Sequence, residues 1–251
     1  MKRSPLATLQ RTVRRATTWR PKRAGTETID IAALISPLRY DVHVRAQFFG
    51  MLAARPAGEP IEQLVDAALQ APYAVWFRHI AMARYRPWVL KDEELFRQQF
   101  TERVVTAKAL YESVTASGFD PRHPVTLRGT ARPQRSDAGA MIHRRVHVGD
   151  GGHRLAILLS LGLPLEPRMY VIDPRPMPVI DNTGILAAHL RLGEAEYAAF
   201  LAQGYGDHRP ASSLAQLRTL AAGWSAQERA ELEDVLAAQA RTRTSLTGSI
   251  G

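Results

Sequence analysis

The stretch 149–154, Gly-Asp-Gly-Gly-His-Arg, is where residue types and spacing bear most directly on chemistry. It lies between an alternating apolar segment and a Leu/Ala-rich run, so it must turn between a strand and a helix. Such a turn sets unpaired backbone N–H groups beside the positive end of a helix dipole, a ready site for phosphate. Gly149, Gly151 and Gly152 allow close backbone approach and positive φ. The dipole alone contributes only about 0.3–1 kcal/mol at an exposed site, so nucleotide affinity needs added cations. His153 and Arg154 follow at once, and Arg144 and Arg145 precede on a strand whose alternation lets one of them face the turn. Asp150 could orient a metal or act as general base beside a transferred phosphoryl group, or serve as an Asx-turn or N-cap. His153 could donate to a phosphate or pack against the turn. Arg154 could fork around phosphate oxygens or form a surface ion pair.

Other polar constellations are thinner. Asp181-Asn182-Thr183 follows a prolyl segment and either binds a sugar hydroxyl or metal, or caps a helix at 185–190. Ser36-Pro-Leu-Arg-Tyr-Asp41, with His43 and Arg45, either forms an acceptor site or supplies Asp41 as an N-cap. His143 and His147 face the same way on an expected strand but lack a third metal ligand.

The elements that must hold these residues begin with a helical stretch from about 29 to 118. Residues 41–54 form a helix closed by Arg55-Pro56, Pro60 opens a short helix, and Pro72 opens one rich in aromatics (Tyr73, Trp76, Phe77). A long helix at 92–117 has Asp92 as N-cap, Gly118 beyond its end, and a stripe of Phe96, Phe100, Val104, Ala107, Tyr111 and Val114. These aromatics read as core. The texture then changes: a strand at 124–128, a polar loop at 129–139, a second strand at 141–148, the glycine turn, a helix at 153–161 ended by Gly162, and a third strand at 169–172. Helices at 194–203, 212–222 and 225–240 follow, the last opened by a Ser225/Glu228 capping box, with a frayed tail from Thr242.

Composition narrows the possibilities. The chain has 251 residues, 45% of them hydrophobic, a formal charge of +9 and no cysteine. Disulfides, thiolate nucleophiles, zinc fingers and iron–sulfur clusters are therefore excluded together. Residues 1–26 carry eight bases and no acid, leaving 25 bases against 24 acids beyond them. The basicity belongs to an arm, which could be a solvated tail, a segment binding nucleic acid or an anionic membrane surface, or a transit peptide. No later stretch approaches 18 uninterrupted apolar residues, so no transmembrane span is expected.

Residues 146–162, with Asp150, Gly151, His153 and Arg154 in the turn and Gly162 at the helix end, followed by Met169-Tyr-Val-Ile172, resemble the ParB/sulfiredoxin-like superfamily. The resemblance covers roughly residues 119–181. It implies nucleotide phosphates on the turn and on the helix N-terminus, contacted by Gly149, Gly151, Gly152, His153 and Arg154. The sulfiredoxin cysteine is here Gly152, which excludes sulfinic acid reduction, and the partition proteins have arginines where this chain has Gly151 and Gly152. The small-molecule (free serine) kinase variants, with Asp-Gly-His-His-Arg in this turn, are the nearer match.

The expectation is an α+β protein in four parts: a basic arm at 1–26, a helical region at 27–118, a nucleotide-binding module with a small mixed sheet at 119–190, and helices at 191–251. The expected function is phosphoryl transfer to a small polar acceptor from a nucleoside di- or triphosphate (ATP, ADP or CTP) with magnesium. Asp150 and His153 would be catalytic and Asp150 would also hold the metal. The alternatives are a ParB-like nucleic-acid-binding protein using the arm, and a catalytically silent scaffold. The expected location is the cytoplasm, or an organelle if the arm is a transit peptide.

Overall fold

A computed structural model describes residues 22–56, 58–129, 133–143, 146–175 and 178–247, apart from the side chains of 33 and 247. Most of the basic arm, together with Arg144 and Arg145, lies outside the described residues. The architecture is α+β: a four-stranded mixed sheet and a small two-stranded one, with helices before and after them.

Helix α1 (Tyr40–Ala53) runs through the centre, burying Val42, Val44, Phe48 and Phe49 and also Asp41 and Arg45. Pro60 and Pro72 do open helices, α2 (Ile61–Leu69) and α3 (Pro72–Trp76). Helix α3 passes directly into a π-helical stretch, Phe77–Met82, and a last α-turn, Ala83–Tyr85. Long α4 (Glu93–Ser117) is capped by Asp92, whose carboxylate accepts from Glu94 N at 2.9 Å and Leu95 N at 3.1 Å. At its other end Gly118 takes φ 77°, and the stripe Phe96–Phe100–Val104–Ala107 is buried.

The sheet has β1 (Arg23–Ala24), β6 (Tyr170–Asp173), β2 (Val125–Gly129) and β5 (Val146–Asp150) in that spatial order. Strand β2 is parallel to β6 and antiparallel to β5. Helix α5 (Gly152–Ser160) joins β5 to β6 and packs on α1, on α4 and on β2. Val146, His147 and Val148 are all buried, as expected where helices cover the sheet.

Three expectations need correction. The strand expected at 141–148 is two: β4 (Met141–Ile142) pairs with β3 (Gln134–Arg135) in the small sheet, and β5 belongs to the large one. The arm expected to reach residue 26 ends sooner, because Arg23–Ala24 adds to the edge of β6 and Gly25 N donates to Tyr170 O at 3.1 Å. The tail expected from Thr242 is helical as far as Thr247.

That last helix, α9 (Ala226–Thr247), packs on α6 (Thr183–His189) and buries Leu232, Val235 and Ala238. The Ser225/Glu228 capping box forms, with Glu228 N donating to Ser225 Oγ at 3.2 Å and Ser225 N to Glu228 Oε2 at 3.0 Å. Between α6 and α9 lie α7 (Glu194–Gly204) and α8 (Leu214–Ala221). No helix among the described residues is long and apolar enough to cross a membrane.

Candidate functional site

Strand β5 delivers the glycine turn to the start of α5, as the sequence leads one to expect. The turn itself is tighter: β5 extends through Asp150, Gly151 takes the left-handed conformation at φ 81°, and the helix starts at Gly152. A Cβ at Gly151 would meet Val125 Cα at 3.1 Å, so both its φ and its contact with β2 call for glycine. Gly151, not Asp150, occupies the N-cap position. The Asp150 carboxylate instead accepts from Gly151 N at 2.7 Å and is otherwise exposed. No side chain caps α5, so its first N–H groups remain available.

Gly149, Asp150, Gly151, Gly152 and His153 together line one side of a cavity of about 600 Å³. Arg154 is half-buried and does not line it. The other walls come from the N-terminal half: Arg39 and Arg45, the segment Trp76–Arg86, and one face of α4 with Gln99, Glu102, Arg103 and Thr106. Spacings of three and four residues put those α4 side chains on a single face.

The arginines set the electrostatics. Asp41 is fully buried and holds two of them: Arg39 through Nε at 2.8 Å and Nη2 at 3.1 Å, and Arg45 through Nη2. The N-cap reading of Asp41 is therefore wrong, since it stands inside the first turn of α1 and its carboxylate is spent on guanidinium groups. Burial opposes its ionisation, but the charges of Arg39 and Arg45 outweigh that and hold the carboxyl well below the usual carboxylate range. Arg39 also donates to Val148 O at 2.9 Å, which ties α1 to the strand leading into the turn.

Arg45 lies against the turn itself. Its Cζ sits 4.6 Å from the centre of the Trp76 ring, a cation–π contact, and its Nη1 lies 2.1 Å from where a Cβ on Gly152 would be. Gly152 is thus the position that admits a guanidinium to the start of α5. The Arg45 Nε and Trp76 Nε1 donors are buried without a hydrogen-bond partner among the described residues. Arg103 forms no hydrogen bond or ion pair with any of them.

His153 differs from the expected cationic donor. Its ring lies among Phe49, Tyr73 and Trp76, and its Nε2 is 2.8 Å from Tyr73 Oη. Burial, reinforced by the charges of Arg45 and Arg103, pushes its pKa well below the ordinary value, so the ring is neutral at pH 7. Burial also raises the Tyr73 pKa, leaving a phenol able to donate to Nε2. His153 therefore anchors the helix start in the aromatic core, and the positive charge comes from elsewhere.

The remaining candidates are dispersed. Asp181 caps α6, accepting from Thr183 N at 2.9 Å and Gly184 N at 3.3 Å, and Gln239 Nε2 of α9 reaches both its oxygens at 3.1 Å. His143 and His147 lie on either side of the break between β4 and β5. No group of three or more His, Asp or Glu among the described residues converges to hold a metal. The carboxylates on the cavity wall are Asp150 and Glu102, and a magnesium ion carried by phosphates would need only one or two such ligands.

Sequence reasoning missed Arg86 and Arg103, whereas Tyr73 and Trp76 are core as expected, Trp76 also facing the cavity. Arg39 and Arg45 did stand in the polar segment 36–45, where their density beside an apolar helix was the available signal. Arg103 had none, because an arginine beside a buried stripe resembles any solvated helix face. Comparison with family models, characterised proteins and solved structures gives no match to this chain.

Proposed function

We propose that the cavity binds the phosphates of a nucleoside di- or triphosphate and that the protein transfers a phosphoryl group to a small polar acceptor. One observation carries the reading: two guanidinium groups share a single buried carboxylate at the uncapped start of α5. That leaves a net positive charge on the Arg39–Asp41–Arg45 group, beside the uncapped backbone N–H groups of α5. Arg103 on the facing helix adds a third guanidinium. Such a set neutralises phosphate oxygens with charge-assisted hydrogen bonds, and the turn supplies backbone donors of the kind phosphate sites use. The resemblance of residues 146–172 to the ParB/sulfiredoxin-like superfamily, and to its small-molecule kinases in particular, points the same way.

In the transfer, an acceptor hydroxyl oxygen bonds to the terminal phosphorus as the bridging P–O bond breaks, and the shortened nucleotide leaves. The hydroxyl proton passes to a carboxylate, and Asp150 is the exposed one on the turn. Magnesium, when bound with the nucleotide, supplies further charge neutralisation and orients the phosphates. Arg45, fixed by Asp41 and Trp76, orients them from the protein side at no cost in reorganisation.

Calorimetry with ATP, ADP and CTP, each with magnesium, tests binding, and no heat with any of them sinks the reading. ADP release from ATP in the presence of sugars, polyols or hydroxy acids then tests transfer. Asp150→Asn is expected to keep binding and lose that release.

A further inference from the structure

Tyr85 stands apart from the other aromatic side chains of the cavity. Trp76 and Phe77 are buried in its wall, whereas Tyr85 is 67% exposed and still lines it. Among the described residues no ring stacks on it and no group hydrogen-bonds to its hydroxyl. Its phenol lies near the Arg39 guanidinium, which lines the same cavity. The backbone that carries it is fixed. Tyr85 ends the helical run begun by α3, Arg86 N closes that run on Met82 O at 2.8 Å, Pro87 follows, and the Arg86 guanidinium is hydrogen-bonded to Gln99 of α4.

The cavity volume of about 600 Å³ is far more than two or three phosphates fill, and it lies in the range that encloses a whole drug-sized ligand. The wall that carries Tyr85 also has Phe77, Ala81 and Met82, with Arg86 at its end, and it faces the glycine turn. We propose that Tyr85 is the stacking platform for the base of the bound nucleotide, so that the ligand is a nucleoside phosphate and not an inorganic or sugar polyphosphate. Every base offers a π-face to such a platform, and hydrogen-bond readout is not required. This inference rests on the phosphate-binding reading above and assigns the rest of the same cavity.

The test compares ATP, CTP and inorganic tripolyphosphate by calorimetry on the full chain and on Tyr85→Ala and Tyr85→Phe. Loss of one base–aromatic stack weakens binding by roughly 5- to 150-fold, so Tyr85→Ala is expected to lose that factor for ATP and CTP. Tripolyphosphate should be unaffected by the change, and Tyr85→Phe should keep the nucleotide affinity. Equal weakening of all three ligands by Tyr85→Ala, or no weakening of any, overturns the platform. If tripolyphosphate binds the unaltered chain as tightly as ATP does, the platform fails while the phosphate site stands. If none of the three binds, both readings fail together.

Discussion

Gly152→Ala separates the ligand site from the fold. An alanine Cβ would lie 2.1 Å from Arg45 Nη1 and 3.1 Å from its Cζ. Restoring an ordinary contact of 3.4 Å moves the Nη1 atom by about 1.3 Å. The guanidinium has little room for that, being held by Asp41 on one side and the Trp76 face on the other. Gly152 is not among the positive-φ glycines, so alanine suits its backbone, and the change lowers the entropy of the unfolded chain, a gain of about 0.4–1 kcal/mol. The strain and this gain partly offset, and the midpoint of thermal unfolding should shift little. Phosphate binding should not escape. A hydrogen bond to a charged group is worth about 1.5–3 kcal/mol, which predicts a rise in Kd for ATP of roughly 10- to 150-fold. Calorimetry and a thermal melt on the same sample read both quantities, with Arg45→Ala as the reference for complete loss of the guanidinium. An unaltered Kd in Gly152→Ala, beside a weakened Arg45→Ala, would show that the Arg45–Gly152 contact does not position the cation for the ligand.

Three further outcomes are expected. Arg103→Ala should leave urea stability within about 0.5 kcal/mol, because no described residue pairs with that guanidinium, yet weaken ATP binding; unchanged binding would remove α4 from the site. Asp41→Asn strips buried Arg45 and half-buried Arg39 of their carboxylate and should cost about 3–5 kcal/mol in urea unfolding. Because the folded pKa of Asp41 is depressed, its contribution is present above the unfolded value of about 3.9 and is lost as pH falls toward the folded one, so the variant should show less acid sensitivity below about pH 4. Asp181 has the opposite sign: burial raises its pKa to about 7, against hydrogen bonds from Gln239, Gly184 and Thr183 that lower it. The folded state then binds the extra proton, so the contribution of Asp181 to stability is fully present below about pH 4 and is lost as pH rises through about 7. Asp181→Asn should flatten that decline in denaturation measured across the window, and an unchanged slope would place the titration elsewhere.

Much of the helical framework was legible because its signals are local. Pro60 and Pro72 lack an N–H that a first turn does not need, Asp92 caps through its own neighbours, and Ser225 and Glu228 satisfy one another across three residues. The split of 141–148 between two sheets was not legible, since strand periodicity says nothing about which partner a residue will find. Nor was the two-residue strand at Arg23–Ala24, too short to carry a pattern. The extension of α9 past residue 240 was not legible either, since 241–247 carries no apolar stripe.

The candidate site divides along the same line. Local residues already dictated that the chain would pass from a strand into a helix within 149–152, because glycine conformation and the start of a helix depend on neighbours alone. The sequence also determined that no thiol could take part. The tertiary structure decided which charges stand at that turn. It made His153 neutral by enclosing it among Phe49, Tyr73 and Trp76, and it brought Arg39, Arg45 and Arg103 there from α4 and from the start and body of α1. Desolvation and charge proximity depend on distances between residues far apart in the chain, and those distances exist only once α1, α4 and α5 have packed together.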